Sequence, residues 1–255
     1  MSSDNAVSGQ VAATATEEKH GFPPDVDLAK VVFPLPQQVN SKYMTDTDGV
    51  TPVSTAGNLI KLFINHSQDL FKRNGNLAIV DKAHTPYAGG LKFVERKRFM
   101  KDRIYVLLDA NDKPIALTVE DGASDAVNAC IIYSAKPLTD SPVHESVLLK
   151  EDDITFYPWF RVVDDHPAYT SIDYWEPSGK YQPFLRAHPD KEEHAVGLLI
   201  KSASGNHTLG HLVKMKKEGG VHGWDVTIAP GVDPCMMICI TAAMEDLFGG
   251  KHFVF

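Results

Sequence analysis

Between Pro234 and Gly249 the chain reads PCMMICITAAMEDLF, and from Cys235 to Met244 it carries one hydroxyl and no charge. Asp233 precedes this run as a natural N-cap, Pro234 takes the first helical position, and Gly249-Gly250 supplies the stop. These signals predict a helix over 234–248, about 22 Å long at 1.5 Å per residue. Its uncharged part is about half of what a bilayer core of roughly 30 Å requires, so no transmembrane segment is expected. Apolar side chains occupy every face until Glu245-Asp246. A helix that is apolar all round must be buried all round, and the rest of the chain has to supply the cover.

That cover reads as strands. From about Asn58, short runs of Val, Ile, Leu, Phe and Tyr alternate with Gly, Pro, Asn and Asp. The expected strands are 58–64, 76–81, 87–94, 103–109, 114–120, 128–134, 145–150, 153–162, 169–175, 180–186, 195–202, 207–216 and 224–229. In 114–120, the apolar residues Ile115, Leu117 and Val119 are expected on one face. Ser178-Gly179 and Ser204-Gly205-Asn206 are hairpin turns whose small residues tolerate positive φ. Ala78-Ile79-Val80-Asp81 before Pro86 is echoed by Val106-Leu107-Leu108-Asp109 before Pro114. Each pairs a strand with an Asp that opens the turn and a Pro where the next strand restarts, which suggests antiparallel hairpins rather than βαβ units.

Residues 1–45 lack sustained periodicity and are expected to be a disordered or loosely docked tail, with the folded domain over 46–250 and a short tail at 251–255. The opening residues hold no apolar run behind a basic cluster, so no secretory leader is expected. Cys130, Cys235 and Cys239 are the only cysteines, an odd number without a disulfide framework, which points to a reducing, cytoplasmic setting. The formal charge of −8 argues against nucleic acid as a partner, because that contact needs a basic footprint.

The strand-turn-strand text Asn76-Leu77-Ala78-Ile79-Val80-Asp81, then Ile104-Tyr105-Val106-Leu107-Leu108-Asp109 with Pro114, and finally Asp225-Val226-Thr227-Ile228-Ala229-Pro230 leading into 234–248, resembles the tubby C-terminal-like superfamily, in its LURP-one-related branch. The resemblance spans roughly residues 58–249. It implies a mostly-β fold, a closed antiparallel barrel of about twelve strands around a buried hydrophobic C-terminal helix. It also implies a non-enzymatic module without a cofactor, docking on anionic phospholipid, phosphoinositides included, or on protein partners, in the cytoplasm, at the membrane periphery or in the nucleus. Phospholipid scramblases form a related branch, and lipid translocation is the alternative it brings; a metal-dependent enzyme is a more remote one.

The densest basic segment is 92–103, where Lys92, Arg96, Lys97, Arg98, Lys101 and Arg103 stand in an otherwise acidic protein. Such cations converge on phosphate oxygens or on a lipid surface, each contributing about 1 kcal/mol near an anionic membrane. The plain alternative is a solvated face whose charges balance acids elsewhere, and charge runs are more often that. Lys214, Lys216 and Lys217 form a smaller cluster with the same two readings. His207 and His211 have zinc-motif spacing, but on a strand they would stand about 13 Å apart at 3.3 Å per residue, too far to share a metal. Cys235 and Cys239 share a helix face and read as small core hydrophobes. Asp164-Asp165-His166, with Glu151-Asp152-Asp153 nearby, is the best acid–base or cation-binding segment, although it lacks the spacing and glycine of a calcium loop and polar inter-strand loops are the commoner account of such runs. Tyr157, Trp159, Phe160, Tyr174 and Trp175 read as barrel-wall aromatics.

Overall fold

The computed structural model describes residues 60–66, 76–81, 90–97, 103–121, 128–137, 143–176, 178–190, 197–203, 205, 208–216, 222–229 and 232–248. Thirteen strands precede one α-helix among them: β1 Ile60–His66, β2 Asn76–Asp81, β3 Lys92–Lys97, β4 Arg103–Leu108, β5 Pro114–Glu120, β6 Ala129–Ser134, β7 Leu149–Glu151, β8 Ile154–His166, β9 Tyr169–Glu176, β10 Lys180–Asp190, β11 Gly197–Ser202, β12 Thr208–Lys216, β13 His222–Ile228 and α1 Pro234–Phe248. Every expected strand has an observed counterpart, and the helix has the expected bounds. The segment 145–150 is divided: Glu145–Val147 forms a 3-10 turn, with His144 accepting from the Ser146 amide, and only the residues after it are extended.

All neighbouring strands run antiparallel, in the order β6-β5-β4-β3-β2-β1-β13-β12-β11-β10-β9-β8-β7. β1 pairs with β13, and β6 pairs also with β8. The expectation of a closed barrel needs correction. Among the described residues β8 reaches β9 only from Phe160 onward, although it already pairs with β6 from Tyr157. β2 and β3 pair only over Asn76–Ala78, and β7 adds to β8 alone. Pro158 explains part of the opening, because it has no N–H to give to a ladder. The architecture is one antiparallel sheet with a single C-terminal helix packed on it.

Asp233 caps the helix as its sequence position predicts. Its carboxylate accepts from the amides of Cys235, at 2.7 Å, and Met236, at 3.3 Å. Every residue from Cys235 to Met244 is buried. The hydroxyl of Thr241 is satisfied within the helix, donating to the Met237 carbonyl at 2.8 Å. The helix touches β5, β6 and β8 on one side and β13, from a distant part of the strand order, on the other. Gly210 on β12 lets this packing happen: a Cβ there would lie 2.6 Å from Met237 Cε and 2.9 Å from its Sδ.

A second, smaller core lies on the other face of β4. Tyr105 and Leu107 join the main core, while Ile104, Val106 and Leu108 pack with Leu117 and Phe156. β4 is therefore apolar on both faces, as its run IYVLL requires. Ile115 does not share the face of Leu117 and Val119 as expected. It packs in the main core, and the register shift between Leu107 and Leu108 marks where the faces exchange. A similar shift sets Trp159 between the partners of Ile132 and Tyr133, so β8 leaves the outer core at Phe156 and enters the main core at Trp159 and Phe160.

Candidate functional site

The basic segment folds as the β3–β4 hairpin, with Lys97 opposite Arg103 and Arg96 opposite Ile104. Val94, between Lys92 and Arg96, packs in the outer core, which places these alternate positions on the outward face. Lys92 forms an ion pair with Asp112, and the Arg96 guanidinium forms one with Asp152. Both aspartates sit in tight turns at positive φ, 62° for Asp112 and 47° for Asp152. The first turn is built by Asp109, whose carboxylate accepts from the amides of Asn111 and Lys113, both at 2.8 Å. That bears out the turn role read for Asp109; the turn after Asp81 lies outside the described residues. Of Lys97 and Arg103 only the backbone is described, and Arg98 and Lys101 lie outside the described residues. The structure thus brings Lys92, Arg96, Lys97 and Arg103 to one ladder, and gives the two described side chains aspartate partners that sequence distance concealed. Half-exposed pairs of this kind contribute about 0–1 kcal/mol each, so an anionic surface competes with them on near-equal terms.

The segment Asp164-Asp165-His166 does not form an acid–base pair. Asp165 accepts from the Ser171 hydroxyl at 3.0 Å, and His166 Nδ1 accepts from the Ala168 amide at 3.1 Å. The His166 ring stacks on Tyr169, with centroids 4.1 Å apart. His211 Nε2 lies 3.0 Å from the Asp190 carboxylate, while His207 is outside the described residues. Among the described residues, no group of three His, Cys, Asp or Glu is arranged to hold a metal ion.

Two further groupings escaped sequence reading. On β8 to β10, Arg161 pairs with Asp173 at 2.9 Å and lies over the Tyr181 ring at 4.7 Å, and Tyr181 meets Trp175 edge-on at 4.9 Å. Burial pushes the Asp173 carboxyl and the Tyr181 phenol up from their ordinary values, with Arg161 opposing both shifts. At the end of α1, Glu245 accepts from the Trp224 indole at 2.7 Å and meets the Lys214 ammonium at 3.1 Å. Lys214 is therefore a partner of the helix rather than part of a surface cluster. The three cysteines are free and buried, and burial raises all three thiols. Among the described residues no helix is long and apolar enough to cross a membrane. Neither a protein-family model nor a curated protein matches this chain.

Proposed function

We propose that this chain is a non-enzymatic binding module of the tubby-like, LURP-one-related kind, whose sheet curls around α1 and whose outer face docks on anionic phospholipid headgroups at the β3–β4 hairpin. The observation that carries this reading is the burial of every residue from Cys235 to Met244, between β5, β6 and β8 on one side and β13 on the other. The chain fills its own interior, so binding falls to its surface. The β3–β4 hairpin concentrates cations in a protein of net charge −8, and a protein partner with an acidic face would meet the same groups. The cytoplasm, the membrane periphery and the nucleus suit such a module. A scramblase-like reading is less favoured, because Glu245 ties the helix to Trp224 and Lys214.

Sedimentation with phosphoinositide-containing liposomes tests the proposal. The intact chain is expected to co-sediment at low salt, and Arg96→Glu combined with Lys97→Glu and Arg98→Glu to abolish this. Asp152→Asn, which frees Arg96 from its partner, is expected to strengthen docking severalfold, given about 1 kcal/mol per surface cation. Failure of the intact chain to bind such liposomes at low salt would overturn the lipid reading.

A further inference from the structure

β7 and the first residues of β8 stand apart from the main sheet. Among the described residues, Leu149–Glu151 pair only with Ile154–Phe156. The ladder from β8 to β6 begins at Tyr157, and the one to β9 at Phe160. Pro158, which has no N–H to give, and the register shift between Ile132 and Tyr133 mark where this hairpin joins the sheet.

What the hairpin covers is apolar. Ile104, Val106 and Leu108 alternate on the outward face of β4, with Leu117 beside them on β5, and all four are buried. Phe156 completes this outer core at 1 % exposure, and Leu149 and Ile154 pack against it. Both strands of the hairpin therefore contribute to the cover. Its root lies at β6, and Asp152 in its turn pairs with the Arg96 guanidinium on β3. In the order β6-β5-β4-β3, a hairpin reaching from root to tip crosses β5 and β4. The Arg96 and Asp152 side chains are 33 % and 63 % exposed, so a competing anion has access to the pair.

We propose that the β7–β8 hairpin is a displaceable cover, and that the apolar face beneath it is a second contact with an anionic bilayer. The inference rests on the β3–β4 docking reading and deepens it. A headgroup that takes Arg96 displaces Asp152 and unlatches the tip. In water the contacts of Leu149, Ile154 and Phe156 still hold the cover down, because lifting it exposes apolar surface. Against a bilayer that opposition falls, since the boundary of the acyl chains receives the same surface. Headgroup binding and opening then favour each other. A bilayer is the fitting occupant because a cation and an apolar face lie side by side here, and a membrane interface presents the complement of both.

Amide exchange over residues 149–156, followed by mass spectrometry on the full chain, tests this. A lone two-stranded hairpin is marginal in water, so its ladder exchanges freely once it lifts. Asp152→Asn is expected to speed this exchange about threefold, the worth of an exposed ion pair. Asparagine tolerates the turn's φ of 47° as aspartate does, so the turn itself is kept. Arg96→Gln is expected to give the same increase, and the double variant no more than either. Vesicles bearing phosphoinositide are expected to speed exchange in the parent about tenfold. A soluble inositol phosphate, which offers the anion without the bilayer, is expected to give no more than Asp152→Asn does. Exchange in Asp152→Asn equal to that of the parent overturns the latch. Equal effects of soluble inositol phosphate and vesicles overturn the bilayer as the occupant. Sedimentation with the vesicles without faster exchange at 149–156 overturns the cover and leaves the docking reading standing, whereas absence of sedimentation at low salt overturns both.

Discussion

Valine at Gly210 is a sharp probe of the contact between β12 and the helix. A Cβ at that position falls 2.6 Å from Met237 Cε and 2.9 Å from Sδ, with the Thr227 carbonyl oxygen 3.3 Å away. Carbon atoms prefer about 3.5–4.0 Å, so the overlap with Met237 is near 1 Å. Valine is stiff at χ1 and cannot turn both methyls aside, so Met237 has to leave its rotamer or the helix has to move. Overpacking of this kind costs about 1–3 kcal/mol. Met237→Ala alone leaves a cavity in a fully buried place and costs about 2–5 kcal/mol. The double variant moves volume from the helix to the strand rather than adding or removing it. Its loss is expected to fall short of the sum of the single losses by about 2 kcal/mol, well above the ~0.5 kcal/mol within which independent sites add. Urea unfolding followed by tryptophan fluorescence, with equal m values required across the set, measures this coupling. Gly223→Ala is the control: its Cβ meets the Ile64 carbonyl oxygen at 2.6 Å, which Met237→Ala cannot relieve. Additive losses for Gly210→Val and Met237→Ala would refute the packing of the helix on β12, and coupling of Gly223→Ala to Met237→Ala would refute the reasoning that separates the two glycines.

Asp233→Ala removes the acceptor for the Cys235 and Met236 amides and is expected to cost about 1–2 kcal/mol, with Asp233→Asn retaining most of the stability in the same urea assay. Glu245→Ala leaves the Trp224 indole N–H and the Lys214 ammonium without their shared acceptor. A loss of about 2 kcal/mol is expected, with Glu245→Gln intermediate because its amide oxygen can still accept from the indole. His188 has a folded pKa below its ordinary value of 6.5, so the native state binds its proton less readily than the unfolded chain does. Its contribution to stability is present above that value and lost as pH falls through the folded pKa. Unfolding measured from neutral to mildly acidic pH should therefore show less acid weakening in His188→Gln, and an identical slope in the two chains would contradict this.

Local chemistry made the helix legible. Asp233, Pro234 and Gly249 mark its ends, and its uniform apolarity announces burial on every face. Strand positions were equally readable, because Gly, Pro and Asp interrupt the apolar runs. Pairing was less so. That β8 lies beside β6, with the short β7 added further along β8, depends on contacts distant in sequence. The bulge that re-aims Trp159 and the slip that turns Ile115 from Leu117 arise from fitting unequal strands together. The basic run 92–103 was visible as composition, but its aspartate partners arrive on the β4–β5 and β7–β8 turns. The groups that meet the Tyr169 ring, His166, Arg186 and His188, come from β8 and β10. Their one local sign is the alternation in Arg186-Ala187-His188, polar residues on either side of a core alanine.

The separation of the β3–β4 cations from the basic groups around Tyr169 follows from the strand order. Passing from β3 through β4, β5, β6 and β8 to β9 crosses five strand spacings. At about 4.8 Å each, this is roughly 24 Å along the sheet. The Debye length at physiological salt is about 8 Å, so charge gained or lost at one surface is largely screened at the other. Freeing Arg96 by Asp152→Asn is therefore expected to leave the His188 titration midpoint where it was. A flat membrane resting on β3 and β4 leaves Tyr169 and its neighbours open to solvent. Lys201 stands opposite Arg186 in the β10–β11 register. Liposome docking should then persist in Lys201→Gln when the β3–β4 hairpin provides the contact, and a loss of docking in that variant would transfer the membrane-facing role to β8–β11.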